Sequence, residues 1–410
     1  MNILFVHEMD WLKKVVFEMH DLPEMFSKNH NVFAIDYEDL WEKDSFFDIG
    51  TIKTKEFKPL ERAHKGANVI LRRPGMIKLP LFSRLSAIFT HYFEIERIIK
   101  EEKINAIVLY SVPTNGLQCL FLAKKYNIPV IYRSIDVLHQ LIDNWFLCKV
   151  TYSLEKIVYK NVDKIIVLTP KLSDYVVKMG ANKGKVELLL IGVDTTKFHS
   201  VIDSIALRKN IGISENDKVI IFMGTLFDFS RMDQYIEQFP NILRVIPEAK
   251  LLIVGGGDLF EKLINLVVER GLQGKVILTG FQPYDMMPQY INIADICINP
   301  FQINGITKDV LPNKILQYLA CGKPVISTPL PGLLSVIPDE KCGIIYSKDI
   351  PEMIQATIDL LKSKDRLIQL GQNASIYIKK HHDLNEVVIR LEEIISKLVE
   401  EKAGDVPCQV

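Results

Sequence analysis

The chain has 410 residues, 48% hydrophobic and 24% charged, and its 50 basic residues balance 50 acidic ones. This length predicts two domains, the composition is that of a globular protein, and the zero net charge argues against a nucleic-acid binder. No apolar run is long enough to span a membrane and no basic signal-peptide segment opens the sequence, which together predict a cytoplasmic protein. The six cysteines form no C-x-x-C pair, so no metal site or disulfide framework is expected.

The first half alternates predicted strands and helices, as an α/β domain should. Strands are expected at 2–7, 31–36, 51–55, 69–72, 106–110, 130–133, 164–168 and 186–191, with helices over 11–29, 77–103 and 117–126. No glycine precedes Gly50, so the Gly-rich turn of a nicotinamide dehydrogenase is absent. In the turn after 130–133, Asp136 lies where open α/β sheets bind ligands.

Charge is concentrated at the start of the chain. Residues 1–50 hold four Lys/Arg against eleven Asp/Glu, a net −7, and residues 51–103 hold twelve against six, a net +6. Within the basic block, the helix predicted over 77–103 has a wide apolar face beside basic residues. This pattern predicts contact between residues 51–103 and an anionic membrane surface. A core-facing helix with a solvated basic side is the alternative.

The second half repeats the strand–helix alternation with glycine turns. Strands are predicted at 218–223, 251–254 and 276–279, and each leads into a turn: Gly224-Thr225, Gly255-Gly256-Gly257 and Gly280-Phe281. The segment from 351 to about 401 is predicted to be helical with a break at 380–383.

The stretch 299–328 predicts a loop, a helix and a buried strand. Pro312 suits the first helical position, and Gly322 ends the helix before the strand. Lys314 and Gln317 share one helix face, next to free amides that an anion can satisfy. A surface helix with a chance lysine is the alternative.

This stretch resembles the donor-binding signature of retaining GT-B glycosyltransferases, family 4 in particular. The matching positions are Pro300, Phe301, Asn304, Thr307, Pro312, Asn313, Lys314, Tyr318, Leu319, Ala320, Gly322, Lys323, Pro324 and Val325. Two acids of the signature differ: Asp309 stands at the first Glu position and Gln317 at the second. In the family the second Glu accepts hydrogen bonds from the nucleotide ribose.

The resemblance implies an α/β protein of GT-B architecture, with two Rossmann-like, doubly wound parallel-sheet domains facing a central cleft. Residues 1–195 would bind the acceptor and residues 196–375 the nucleotide sugar, and a helix in 376–410 would cross back to the first domain. The segment Gly192-Val193-Asp194 is similar to the family's interdomain segment.

The same resemblance implies the site. The catalytic candidates are Asp309, Gln317, Asp136 and His20; the donor-binding candidates are Gly224, Thr225, Arg231, Gly256, Phe281, Asn304, Thr307, Asn313, Lys314 and Gln317. His20 resembles a histidine that some members carry in the first helix, and a partly buried structural histidine is the alternative.

The implied chemistry is transfer of a sugar, with retention, from a nucleoside-diphosphate sugar to a hydroxyl of a glycan, lipid-linked or small-molecule acceptor. Arg231 would join Lys314 on the diphosphate, so neither a metal nor a cofactor is expected. A sugar-nucleotide epimerase of the same fold and a weakly catalytic sugar-nucleotide-binding subunit are the alternatives.

Overall fold

The computed structural model describes residues 1–38, 49–79 and 82–404. It consists of two compact units, one formed by Met1–Leu190 with Val387–Val410 and the other by Ile191–Glu386. The first division lies close to the boundary expected at 195, and the second falls after Glu386 instead of at 375.

Among the described residues of the first unit, eight strands form one sheet in the order β10-β9-β8-β7-β1-β2-β5-β4. All neighbours are parallel except β4 and β5, and a separate antiparallel pair joins β3 to β6. The strands are β1 (Asn2–Val6), β2 (Asn31–Ile35), β3 (Gly50–Thr51), β4 (Lys55–Leu60), β5 (Val69–Arg73), β6 (Met76–Ile77), β7 (Ala106–Leu109), β8 (Val130–Ser134), β9 (Lys164–Val167) and β10 (Val186–Leu188).

The helices of this unit are α1 (Glu18–Phe26), α2 (Phe82–Glu101), α3 (Gly116–Tyr126), α4 (Trp145–Asn161) and α5 (Pro170–Lys178). Helix α3 contacts both α2 and α4. The central strands are apolar because helices connect parallel strands and cover the sheet. Within the described residues, none of the helices is both long and apolar enough to cross a membrane.

Three predicted elements of this unit are wrong in detail. The helix expected from 11 begins only at Glu18, because Asp10 Oδ1 accepts the amides of Leu12 and Lys13 in a turn. The strand expected at 51–55 is two short strands, β3 and β4. The helix expected over 77–103 spans Phe82–Glu101, since Ile77 pairs with Gly50 in β6.

In the second unit, whose residues 191–386 are all described, six strands form a fully parallel sheet in the order β13-β12-β11-β14-β15-β16. These strands are β11 (Lys218–Met223), β12 (Ala249–Val254), β13 (Val276–Leu278), β14 (Ile296–Asn299), β15 (Val325–Ser327) and β16 (Ile344–Tyr346). The helices are α6 (Ile205–Asn210), α7 (Met232–Leu243), α8 (Phe260–Glu269), α9 (Met287–Ile293), α10 (Asn313–Ala320), α11 (Pro331–Leu334), α12 (Ile350–Lys362) and α13 (Lys364–His381). Helix α14 (Leu384–Gly404) begins in this unit and belongs to the first unit from Val387 onward. Buried side chains of β11, β12 and α7 form the centre of its core.

Two features of this unit refine the predictions. Pro312 precedes helix α10 as its N-cap residue, with Asn313 as the first helical residue. The break predicted at 380–383 is confirmed between α13 and α14, and a second break at Ser363 was not predicted. At the first break, Val193 donates to the His382 carbonyl at 2.8 Å, which ties the start of the unit to its end.

Candidate active site

The carboxyl ends of β11, β12 and β13 are held together through glycine backbone. The Gly224 amide donates to Val254 O at 2.9 Å, and the Gly255 amide donates to Gly280 O at 2.9 Å. A Cβ at Gly255 would lie 2.0 Å from Gly224 O, and its φ of +143° also excludes most other residues. The predicted glycine turns therefore form one continuous backbone surface at the edge of the sheet where ligands bind in such folds.

The Lys314 side chain projects from the first turn of α10 to this edge. Its ammonium lies 3.8 Å from the centre of the Phe222 ring and 3.9 Å from that of Phe301. A Cβ placed on Gly224 would be 3.6 Å from Nζ, so the glycine turn borders the ammonium directly. No carboxylate pairs with Lys314 within the described residues, and burial lowers its pKa well below the usual value.

Helix α10 is fixed to the strand that carries this glycine turn. The Tyr318 hydroxyl accepts a hydrogen bond from the Met223 amide at 2.6 Å, and the ring is fully buried. Gln317, 9% exposed, donates through Nε2 to the Tyr284 hydroxyl at 3.4 Å. The carbonyl oxygen of Gln317 has no such partner among the described residues, so it can accept a hydrogen bond from a ligand.

Asn304 and Thr307 are engaged within their own loop. Asn304 Oδ1 accepts the amides of Ile306 and Thr307 at 2.8 and 3.0 Å, and Thr307 Oγ1 accepts the Asn304 amide at 3.0 Å. These bonds give both side chains a role in shaping the loop before α10. Asp309 lies beside Gly332, where a Cβ would come 2.5 Å from the Asp309 carbonyl carbon.

The remaining donor-site candidates surround the glycine turns. A Cβ on Gly256 would lie 2.8 Å from the ring of Phe281, which is 61% exposed. Thr225 follows Gly224 in the first turn, and Asn313 is half-buried at the start of α10. These positions meet at one edge of the second unit.

Arg231 occupies a strained backbone position at the start of α7. Its φ of +52° is in the left-handed region, which non-glycine residues rarely adopt and which often marks functional sites. Its Nε donates to Gln234 Oε1 at 3.3 Å. No contact between Arg231 and Lys314 is present in the described part of the chain, and burial alone accounts for the lowered Lys314 pKa.

His20 in the first unit is almost completely buried. Its Nε2 lies 3.0 Å from the Trp11 carbonyl, and its Nδ1 accepts the Phe17 amide at 3.4 Å. Burial, with a smaller contribution from Arg62, lowers the His20 pKa to about 4. Both ring nitrogens are engaged by backbone, which fits the structural alternative for this residue better than a catalytic role.

Asp136 lies beyond the end of β8 next to a buried ion pair. Arg133 donates through Nε and Nη2 to both carboxylate oxygens of Glu18, each at 2.8 Å. Burial, and secondarily the charge of Glu18, raises the Asp136 pKa to about 6. A carboxyl group held this way can exchange a proton near neutral pH.

We expect Asp136→Asn to remove a pH dependence of stability. In the folded protein the carboxyl keeps its proton up to about pH 6, whereas the unfolded chain loses it near 3.8. The free energy of unfolding should therefore fall as pH rises through this window, by up to about 3 kcal/mol. Denaturant titrations from acidic to neutral pH measure this slope. The exposed Asp143, changed to Asn, is the control that should keep it, and an unchanged slope in Asp136→Asn would contradict the assignment.

Several buried polar groups lie at the carboxyl edge of the first sheet without hydrogen-bond partners among the described residues. They are His7 Nε2, Trp11 Nε1, Tyr110 Oη, Ser111 Oγ and Ser134 Oγ. Such groups are usually satisfied by water or ligand. His7 stacks on Tyr110 at 5.1 Å between ring centres, and burial lowers its pKa to about 3, so it is a neutral ring with an open nitrogen. The edge can therefore bind a hydroxylated ligand.

Two charged networks were missed by sequence reasoning. Arg73 donates to Asp36 and Asp10 at 2.9 and 2.7 Å, which fixes the turn after β1. Glu155 on α4 lies 2.7 Å from His139 Nδ1 and accepts from the Tyr159 hydroxyl at 2.9 Å. Apart from the helical spacing of Glu155 and Tyr159, the partners are distant in sequence, so no local pattern could have revealed the networks.

Much of the positive charge of residues 51–103 is used inside the unit. Arg72 forms ion pairs at 2.8 to 3.5 Å with four carboxylates, those of Glu56, Glu94, Glu101 and Glu102. These four acids lie inside the block and are already counted in its net charge of +6. That charge is lowered further by Arg73, Lys78 and Arg84, which pair with acids at positions 8–38, outside the block, so +6 overstates the charge available to a membrane. No group of three or more metal-ligating side chains occurs in the described parts of the chain.

Two parallel-sheet α/β units, each with a polar carboxyl edge, give the GT-B architecture, and solved structures agree. Anabaena Alr3699/HepE in complex with UDP and glucose aligns with a TM-score of 0.73 at 15% identity, covering 97% of this chain and 100% of that one. Sucrose-phosphate synthase from Thermosynechococcus elongatus aligns with a TM-score of 0.70 at 17% identity, covering 98% and 99%. At such identities these likenesses establish the fold.

Family comparisons lead to a narrower class. Residues 203–380 match the family "Glycosyl transferases group 1", and residues 51–197 match "Glycosyltransferase Family 4". An uncharacterised glycosyltransferase of Methanocaldococcus jannaschii is 22% identical over 60% of this chain and 62% of its own length. A GDP-mannose-dependent phosphatidylinositol monomannoside mannosyltransferase of Mycolicibacterium smegmatis is 29% identical over 44% and 48%. The chain thus spans about half to three-fifths of these relatives, and the matches support a GT-B glycosyltransferase of group 1.

Proposed function

We propose that this protein transfers a sugar from a nucleoside-diphosphate sugar to an acceptor hydroxyl, with retention of the anomeric configuration. The observation that carries the proposal is the Lys314 ammonium, which is buried on two aromatic rings beside the Gly224 turn and has no carboxylate partner among the described residues. A desolvated cation at the carboxyl edge of a parallel sheet is suited to a diphosphate, because the anion supplies the missing partner.

In this proposal the second unit binds the donor. Lys314, Arg231 and the first amides of α10 meet the diphosphate, and the Gln317 carbonyl oxygen accepts from the ribose. The Gly256 turn and Phe281 border the base. Negative charge develops on the leaving diphosphate as the glycosidic bond breaks, and fixed cations and amides stabilise that charge without a metal. The diphosphate itself then takes the proton of the acceptor hydroxyl.

The first unit binds the acceptor in this proposal. Its open polar groups at His7, Tyr110 and Ser134, together with the Asp136 carboxyl, suit a ligand with several hydroxyl groups. The Mycolicibacterium relative is named for a phosphatidylinositol monomannoside acceptor, which favours a glycan or a lipid-linked acceptor here. Contact of residues 51–103 with an anionic membrane remains part of the proposal, with α2 exposing Phe89 and Phe93.

Diphosphate release distinguishes this function from its alternatives. The protein is incubated with UDP- and GDP-sugars, with and without acceptor extract, and with EDTA in a parallel series. A transferase releases diphosphate only when acceptor is added, and we expect release to persist in EDTA. Epimerisation of the donor without acceptor would favour an epimerase, and donor binding without turnover would favour a non-catalytic subunit. Activity lost in EDTA and restored by magnesium would contradict the metal-independent mechanism.

Gln317→Glu should change donor affinity only modestly, because amide and carboxylate both offer an acceptor oxygen to the ribose. The expected change is less than about 1 kcal/mol, or roughly fivefold in Kd. Calorimetry with UDP- and GDP-sugars measures it, with Tyr284→Phe as the control that removes the neighbouring hydroxyl and keeps Gln317. If the wild-type chain binds donor without turnover and the Glu variant turns over, the protein is a decayed transferase and the active function is wrong.

A further inference from the structure

Helix α4 carries an exposed apolar surface at its start. Trp145, Phe146 and Leu147 are 69%, 58% and 47% exposed. The helix connects the parallel strands β8 and β9, so its first turn lies on the side of the carboxyl edge of the sheet. Three large apolar side chains therefore project into solvent near the edge that carries Asp136 and the open polar groups.

The opposite face of α4 is fixed to the unit. Glu155 is fully buried and accepts from the Leu138 amide at 3.2 Å and from the Tyr159 hydroxyl at 2.9 Å. Asn144 caps the helix by accepting the amides of Phe146 and Leu147 at 3.0 and 3.1 Å. Because inner face and N-terminus are both anchored, the outer apolar residues are held in place on the surface.

The basic side chains on the same helix form no ion pairs with carboxylates among the described residues and can therefore bind an anionic partner. Lys149 lies over the Trp145 ring at 5.0 Å and Lys156 over the Tyr152 ring at 4.6 Å. Neither they nor Lys160 forms an ion pair with a carboxylate among the described residues. On α2, by contrast, Arg97 and Lys100 pair with glutamates of the same helix. The acid within α4 is the buried Glu155, and the exposed acid nearest in sequence is Asp143.

We propose that α4 docks the first unit on an anionic lipid surface through Trp145, Phe146 and Leu147, with Lys149, Lys156 and Lys160 facing the headgroups. Helices that lie in a membrane interface typically combine aromatic residues and leucine with unpaired lysines, as α4 does. Uncompensated positive charge complements anionic headgroups and distinguishes this face from an ordinary protein contact. This docking is independent of transfer activity and can be tested without a donor or an acceptor.

Vesicle co-sedimentation tests whether the positive charge of the α4 lysines contributes to membrane binding. The wild-type chain should bind vesicles of phosphatidylcholine mixed with phosphatidylglycerol far more than vesicles of phosphatidylcholine alone, and salt should weaken the binding. Each lysine near the surface is expected to contribute about fivefold, so the triple change Lys149→Gln, Lys156→Gln, Lys160→Gln should lower partitioning on the order of a hundredfold. The matched control changes three exposed lysines of the second unit to Gln, at Lys341, Lys348 and Lys362, and should bind as the wild type does.

Tryptophan fluorescence tests whether Trp145 enters the membrane interface. Adding anionic vesicles should shift the emission to shorter wavelength, and Trp145→Phe should abolish most of that shift while leaving co-sedimentation largely intact. Equal binding to neutral and anionic vesicles, or a triple variant that binds like the wild type, would overturn the proposal. So would Trp145→Glu converting a dimer to a monomer in light scattering without changing vesicle binding, since the face would then join two copies of the chain.

Discussion

Lys314→Met should weaken nucleoside-diphosphate binding strongly without destabilising the protein. Removing a hydrogen-bonded charge from an anion site costs about 1.5–3 kcal/mol, which corresponds to roughly 10- to 150-fold weaker binding of UDP or GDP. The methionine keeps the volume between Phe222 and Phe301, so the core around the site should not collapse. Calorimetry and thermal unfolding with and without UDP and GDP measure both quantities.

The free energy of unfolding of Lys314→Met should equal or exceed that of the wild type, because the wild-type Lys314 ammonium is buried without a carboxylate partner in the described residues. Burial lowers the Lys314 pKa well below 10.5, so the unfolded chain binds this proton more tightly than the folded one. The wild-type free energy of unfolding should therefore rise with pH between the lowered pKa and 10.5, and the methionine variant should lack that rise.

The exposed Lys348, changed to Met, is the matched control and should leave affinity and stability near wild type. Unchanged affinity in Lys314→Met would remove Lys314 from the diphosphate site. Lost binding together with a large loss of stability would show that the lysine has a structural role instead.

Arg73→Met should be strongly destabilising. The guanidinium is the shared partner of Asp10 and Asp36, whose carboxylates are fully buried. Removing one member of such a cluster leaves buried charge without compensation and costs about 3–5 kcal/mol. For a unit of this size the melting temperature should fall on the order of 10 °C.

Arg97→Met is the control, because the Arg97 side chain is 56% exposed and pairs with Glu101, which is 47% exposed. Its second partner, the buried Glu94, still pairs with Arg72 when Arg97 is removed. Exposed pairs contribute less than about 1 kcal/mol. Arg73→Lys should fall between the two variants, since it retains charge but loses the bidentate geometry. Similar melting temperatures for Arg73→Met and Arg97→Met, measured by calorimetry, would show that the buried cluster contributes little.

The position of the donor-site candidates was largely predictable because their signals are local. Each signal depends only on a few neighbouring residues: a glycine at the end of a predicted strand, a proline before a predicted helix, and a lysine in the first turn of that helix. The structure brings Gly224 and Lys314 into contact from these separate local signals. Their roles in binding remain predictions.

The sequence by itself determined the α/β alternation, the division into two units and the stretch from Asn299 to Thr328, since periodicity and turn chemistry act over a few residues. Only the tertiary structure decided which charges are free. Arg73 pairs with Asp36 and with Asp10, 63 residues away, so part of the positive charge of the basic block is neutralised by acids outside it. Conversely, Lys149 is left unpaired on a helix that composition did not single out. Pairing depends on which distant segments the fold brings within a few ångströms, and charge counting along the chain does not contain that information.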